Sequence, residues 1–282
     1  MGSDKTALGD RMKWYESRFT NDQFMPMVPV IARMDGRAFH TFTAGLARPY
    51  DERLSVLMTK TTEFLVKETD ARCGYTQSDE ITLVWLASEW ESEIFFAGKL
   101  QKMNSILAAM TTAFFNKNLS AHIPEKQDQM PLFDSRVFQV PTDWEATNCF
   151  IWREMDATRN SVQMAARSQF SHGVCENKDT SQLQELLWSQ KGINWNNYPN
   201  FFKRGTYVRR RVLERPFNKN ELEALPPKHA ARQNPGLIVK RTVVMPEDFP
   251  PLARIANRED VILHGADPVL KAETEPAEEE KA

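Results

Sequence analysis

Two acidic spots stand where carboxylates can do metal chemistry. Residues 28–42, VPVIARMDGRAFHTF, are an apolar run that stops at Asp35-Gly36, and a second acidic spot follows at Gln77-Ser78-Asp79-Glu80. A strand that delivers a carboxylate at its end, followed by glycine, brings a hard oxygen ligand and a bare backbone together against a phosphate. Asp35, the Gly36 carbonyl and Asp79 make an oxygen-only donor set suited to Mg2+, which keeps waters and substrate phosphates in its shell. Two such ions can activate an attacking hydroxyl and stabilise a departing pyrophosphate. Each aspartate alone also suits a turn or a helix cap. Their joint placement favours a two-carboxylate site working on nucleotides.

Other side chains fit that chemistry. Lys99 and Lys102 lie near the start of a helix, where ammonium groups and free amides can both address a triphosphate. The competing reading is a solvated helix face. His40 can touch a base or a phosphate. Ser78 can donate to a nucleotide or satisfy local backbone. Lys203-Arg204, Arg209-Arg210-Arg211 and Arg215, opposed only by Glu214, form a cluster suited to a polyanion or to a solvated charged edge.

These residues need elements to hold them. Residues 7–25 mix apolar and charged positions at helical spacing and predict a packing helix, and Pro26 and Pro29 bracket the entry to a strand at 28–34. Leu54, Leu57, Met58, Thr61 and Leu65 predict a helix over 51–69 with one apolar face. Residues 72–77 and 81–87 predict a hairpin with Ser78-Asp79-Glu80 as its turn. Phe96, Leu100, Met103, Leu107, Met110 and Phe114 predict a helix over 93–116. Residues 133–140 alternate as a strand, and 143–170 is helical. The order is βαββαβ, so the expectation is an α+β, palm-like (ferredoxin-like) antiparallel sheet with helices on one face, plus a helical and irregular C-terminal extension. That topology lets Asp35 and Asp79 share an ion.

At 282 residues and 41% hydrophobic, the chain can bury a substantial core. The formal charge of −2 includes five Glu and one Lys in residues 272–282, which predicts a solvated, disordered acidic tail. Cys73, Cys149 and Cys175 lack CxxC spacing, which argues against a disulfide framework or zinc knuckle and fits a reducing cytoplasm. No stretch reaches the ~18 apolar residues of a membrane span, and the N-terminus has no signal core. Prolines crowd residues 212–271, which predicts an irregular wrap. The division expected is a catalytic palm over 1–142, a helical and basic region over 143–211, the Pro-rich extension over 212–271 and the tail over 272–282.

RMDGRAFH at 33–40, SDE at 78–80, Lys99 and Lys102, FDSR at 133–136, WREMD at 152–156 and INWNNYPNFFKRG at 193–205 together resemble the tRNA-His guanylyltransferase superfamily, whose members add nucleotides in the 3′-to-5′ direction. The resemblance implies two Mg2+ ions on Asp35, Gly36 and Asp79, with Glu80 nearby. It implies a nucleotide-cradling loop at Gly36, Arg37, Ala38, Phe39 and His40, with Ser78 beside the base or ribose and Lys99 and Lys102 on the triphosphate. Arg33, Arg136, Asn160 and Asn196 match polar positions of the family, and Arg136, Arg159, Asn160, Asn196, Lys203 and Arg204 are the candidate RNA contacts. ATP and GTP or other nucleoside triphosphates are the implied substrates, tRNA the implied partner, and a cytoplasmic homotetramer the implied assembly. Where eukaryotic members carry His-Ile-Asn-Asn, this chain has Thr158-Arg159-Asn160-Ser161. It looks more like the bacterial and phage branch, which implies template-dependent repair of 5′-truncated tRNA. The alternatives are a dedicated tRNA-His guanylyltransferase, a non-catalytic RNA-binding protein on a palm fold, and a nucleotide cyclase.

Overall fold

The computed structural model describes residues 6–234 and 236–272. After α1 (Ala7–Thr20), the chain enters the palm through β1 (Val30–Gly36), α2 (Phe39–Phe42), α3 (Glu52–Thr69), β2 (Cys73–Gln77), β3 (Glu80–Trp85), α4 (Leu100–His122) and β4 (Phe133–Gln139). The strands pair antiparallel in the order β4-β1-β3-β2, as the βαββαβ pattern requires. α3 begins at Asp51, whose carboxylate accepts from the Arg53 amide, and ends at Asp70 in the left-handed conformation. It buries Leu57, Met58, Leu65 and Val66 beneath the sheet, and Phe64 stacks on Phe114 of α4 with ring centroids 4.3 Å apart. Both palm helices therefore share one face, over a core that includes Val30, Ala32, Met34, Leu83 and Phe115.

The second face is also covered. α5 (Asp143–Gln169) lays Ala146 and Phe150 against Ile31, Tyr75 and Val84, and the C-terminal residues Leu252, Ile255, Val261 and Ile262 complete that layer. Burial on both sides explains why β3 is a continuous apolar run rather than an alternating one. Beyond α5, α6 (His172–Cys175), α7 (Thr180–Lys191) and α8 (Asn200–Arg204) build a third cluster, in which Val162, Ala165, Leu183, Leu187 and Phe202 pack with Tyr50.

Three expectations are corrected. The buried stripe of α4 is Met103, Leu107, Thr111, Phe115 and Leu119; Phe96 precedes the helix and is exposed, and Met110 and Phe114 lie to one side. The β2–β3 turn is Ser78-Asp79 alone, because Glu80 pairs with Gln77 and with Asp35 inside the sheet. The extension is not irregular throughout. β5 (Thr206–Pro216) pairs with β2, and after α9 (Lys219–Ala224) and α10 (Ala230–Gln233), β6 (Ile238–Glu247) pairs with β5 along its whole length, making six strands. β5 runs unbroken through the expected boundary at 211–212. Pro216 and Pro246 are tolerated because one ends its strand and the other lies on the sheet's outer edge.

The basic cluster is part of this scaffold. Arg209, 1% exposed, is paired with Glu247 and donates to the carbonyls of Val261 and Ala266 at 2.7 and 2.8 Å. Arg210 pairs with Asp70, Arg211 with Glu247 and Asp267, and Arg215 with Glu221. These arginines clamp the extension rather than presenting free charge to a polyanion. Among the described residues no helix is long and apolar enough to cross a membrane. The acidic tail, apart from Ala272, lies outside the described residues.

Candidate active site

β1 reaches the β2–β3 turn at its C-terminal end. Asp35 sits opposite Glu80, and the Gly36 amide donates to the Asp79 carbonyl at 3.1 Å. Gly36 is required there, since an added Cβ would stand 2.2 Å from the Phe39 ring. The turn holds Ser78 in the left-handed region (φ 50°), and its hydroxyl donates to the Asp79 carboxylate at 3.0 Å. Burial pushes the Asp79 carboxyl above its ordinary value against the Ser78 hydrogen bond, and the charge of Asp35 adds to the rise. Two carboxylates repelling each other beside a peptide carbonyl, Gly36, fit a hard divalent cation that completes its shell with water and phosphate. Among the described residues no group of three or more His, Cys, Asp or Glu side chains could hold a metal, so a closed, zinc-like cage is not present among them.

Glu80 does not join the pair. Arg153 of α5 grips its carboxylate with two hydrogen bonds, 2.6 and 2.8 Å, and binds Asp156 at 2.8 Å. Arg33 approaches Glu80 at 3.7 Å and lies over the Trp152 ring, 5.4 Å from its centroid. Burial raises the Glu80 carboxyl even so, against the opposing pull of Arg153.

Two cavities adjoin at Ser78 and Asn160, and the aspartates line one of them. One of about 560 Å³ runs between Asp35, Asp79 and the α5 residues Arg153, Asp156, Asn160, Gln163 and Arg167. The other, about 350 Å³, lies between His40, Arg48, Tyr50, Ser55 and Phe202. Gln77, Ser78, Asn160, Met164 and Arg167 line both. Of the loop 36–40, Arg37, Ala38 and His40 are exposed, whereas the Phe39 ring is buried against Phe42, Phe115 and Phe133 and can offer only its backbone.

Lys99 and Lys102 are not at this site. β3 runs away from Asp79, and α4 starts at its far end, where the lysines share a surface with Thr69, Asp70 and Phe96. Trp85, whose indole donates to Thr69, is five residues from Glu80, or ~17 Å of strand. Of the candidate RNA contacts, Arg136 and Arg159 are exposed but paired with Asp134 and Asp156. Asn160 donates to Asp156 inside the cleft, and Asn196 is exposed. Lys203 is buried, bonded to the Asn196 carbonyl and over Trp195, and Arg204 faces Glu154 at 3.8 Å. Sequence reasoning missed Arg48, Arg153, Asp156, Gln163 and Arg167. The α5 members had a signal: residues 153, 156, 160, 163 and 167 recur by three and four, a polar stripe on one helix face.

A palm sheet, two carboxylates at its edge and an adjoining cavity define an enzyme of the nucleotidyltransferase class. A family model described as tRNAHis guanylyltransferase (Thg1) matches residues 9–141. A bacterial tRNAHis guanylyltransferase-like protein in complex with ATP is 36% identical, with a TM-score of 0.68 over 72% of this chain and 88% of that one. A bacterial protein of the same description in complex with GTP is 29% identical, with a TM-score of 0.67 over 88% and 94%. The tRNA(His) guanylyltransferase of Saccharomyces cerevisiae is 27% identical over 68% of this chain and 86% of that protein. The chain belongs to the Thg1 family of tRNA guanylyltransferases.

Proposed function

We propose that this enzyme adds nucleotides to the 5′ end of tRNA in the 3′-to-5′ direction, with magnesium, and that its task is template-dependent repair of 5′-truncated tRNA. The observation that carries the reading is that the end of β1 and the β2–β3 turn bring Asp35 and Asp79 together on the wall of one cavity, which adjoins a second. Residues 1–142 supply the catalytic palm and 143–211 the wall facing it. The 350 Å³ cavity has room for a nucleoside, with His40, Tyr50 and Asn160 on its walls. The first amides of α2 have no helical acceptor and are available to phosphate oxygens. Arg167, which faces both cavities, can neutralise phosphate charge. Asp35, Asp79 and the Gly36 carbonyl would hold two Mg2+ ions, which would supply acidification of the incoming nucleotide's 3′-hydroxyl and neutralisation of the leaving group, pyrophosphate from a 5′-triphosphate end or AMP from an adenylylated one.

The ATP and GTP complexes of bacterial relatives support these triphosphates as substrates. ATP would activate a 5′-monophosphate end by adenylylation, a step that a 5′-triphosphate end bypasses. The repair reading draws support from residues 158–161, where Thr158-Arg159-Asn160-Ser161 stands in place of the His-Ile-Asn-Asn of eukaryotic members. Dedicated guanylylation of tRNAHis is the second reading, favoured by the family description. The expected assembly is a cytoplasmic homotetramer.

The test is extension of a 5′-truncated tRNA with magnesium and all four triphosphates. The added base should follow the opposite acceptor strand, and Asp35→Ala or Asp79→Ala should abolish addition. Extension equal to wild type by both variants would refute the metal assignment, and G addition indifferent to the opposite strand would favour dedicated guanylylation.

A further inference from the structure

Trp152 of α5 brings an aromatic ring into the wall of the cleft that Asp35 and Asp79 line. It is 52% exposed, although α5 buries its neighbours Arg153 and Glu154. Two guanidinium groups lie against the ring, that of Arg153 at 4.4 Å and that of Arg33 at 5.4 Å from its centroid. Both are drawn to Glu80, at 2.6 and 3.7 Å, so they brace the indole from the side of the sheet and leave its outer face open. A ring fixed in this way need not be ordered by a base that stacks on it. Arg33 and Asp35 both line the cleft and stand two residues apart on β1, ~7 Å along the strand. The braced ring is therefore within the reach of a single nucleotide from the aspartates.

Templated addition requires a base beside the aspartates in a place that the end of an RNA duplex can also reach. The 350 Å³ cavity is walled by buried side chains such as Leu46, Asp51 and Phe202, whereas the 560 Å³ cleft has the exposed Trp152 in its wall. We propose that Trp152 is the stacking platform for the base of the incoming, templated nucleoside triphosphate, on the side away from the RNA's terminal base pair. The inference rests on the templated addition proposed above and names the side chain that holds the new pair. The indole takes the place of the next base pair of the helix. Stacking is indifferent to which base is read, since every base has a π-face. Pairing with the opposite strand then supplies the choice of base, and Trp152 supplies affinity for whichever base is paired.

Steady-state addition to a 5′-truncated tRNA that carries a 5′-triphosphate tests this. Trp152→Ala should raise KM for the templated nucleotide by roughly 10- to 100-fold, with KM for the tRNA and the choice of base unchanged, and Trp152→Phe should restore most of the loss. A binding measurement reads the contact without turnover. 3′-Deoxy-GTP, which lacks the attacking hydroxyl, should quench the indole emission of the enzyme–tRNA complex when C stands opposite and not when A does. Trp152→Phe should lose that quench. A wild type that adds no templated nucleotide defeats the repair reading and this inference together. Templated addition with the nucleotide KM unmoved in Trp152→Ala, a rise in the tRNA KM instead, or a quench that survives Trp152→Phe would overturn the inference alone.

Discussion

At the residue scale the site is a set of charges placed at some cost to the fold. Asp79 is the plainest case: its carboxyl is raised by burial and by Asp35, so its stabilising contribution is present below the ordinary carboxylate range and lost as pH rises through the raised value. Metal-free Asp79→Asn should therefore melt above wild type near neutral pH, read by thermal denaturation in chelator, while losing nucleotide addition. Arg153→Ala should destabilise by ~3 kcal/mol, because it strips both hydrogen bonds from the buried Glu80 carboxylate and leaves it only the longer ion pair to Arg33. Urea unfolding checks this, and replacing the pair together, Arg153→Met with Glu80→Leu, should recover most of the loss. Asp35 and Asp79 were legible in the sequence because an apolar strand that ends in Asp-Gly and a hairpin turn that carries an acid need no tertiary knowledge. Arg153 and Arg167 were not, since their meaning depends on α5 crossing above β1 and β3.

At the element scale, direction decided what spacing alone could not. Lys99 and Lys102 lie close in sequence to Asp79, yet β3 carries the chain away from the turn, and the helix that follows must begin at the opposite end of the sheet. The β5–β6 ribbon was hidden for another reason. Ile238–Glu247 is rich in β-formers, but the surrounding prolines read as irregular until their places at strand ends and an edge are known. Arg215 and Glu221 tie that ribbon to α9, and the Glu221 carboxyl is held down to about 2 from an ordinary 4.5, first by its hydrogen bond from Arg215. A lowered carboxylate stabilises above its unfolded value and loses that contribution as pH falls. Protection factors of the amides of residues 215–234 and 236–241 should therefore fall between pH 4.5 and about 2, and Glu221→Gln should remove that pH dependence.

At the scale of the whole molecule, the sheet is a platform with two unlike faces. α3 and α4 seal one with an apolar core, and α5 covers the other while turning a polar stripe over the end of β1. The palm was readable from element order because βαββαβ permits few antiparallel arrangements with both helices on one side. The second layer was not, because it joins α5 to residues 252–263, a pairing no local pattern announces. The central claim is that Asp35 and Asp79 serve one catalytic centre, and groups that act as a unit are non-additive. The direct measurement is the single-turnover rate of nucleotide addition to a 5′-truncated tRNA for Asp35→Asn, Asp79→Asn and the double variant. Each single change should slow addition by roughly 10³-fold and the double change by no more than either alone. Losses that multiply in the double variant would contradict a shared centre.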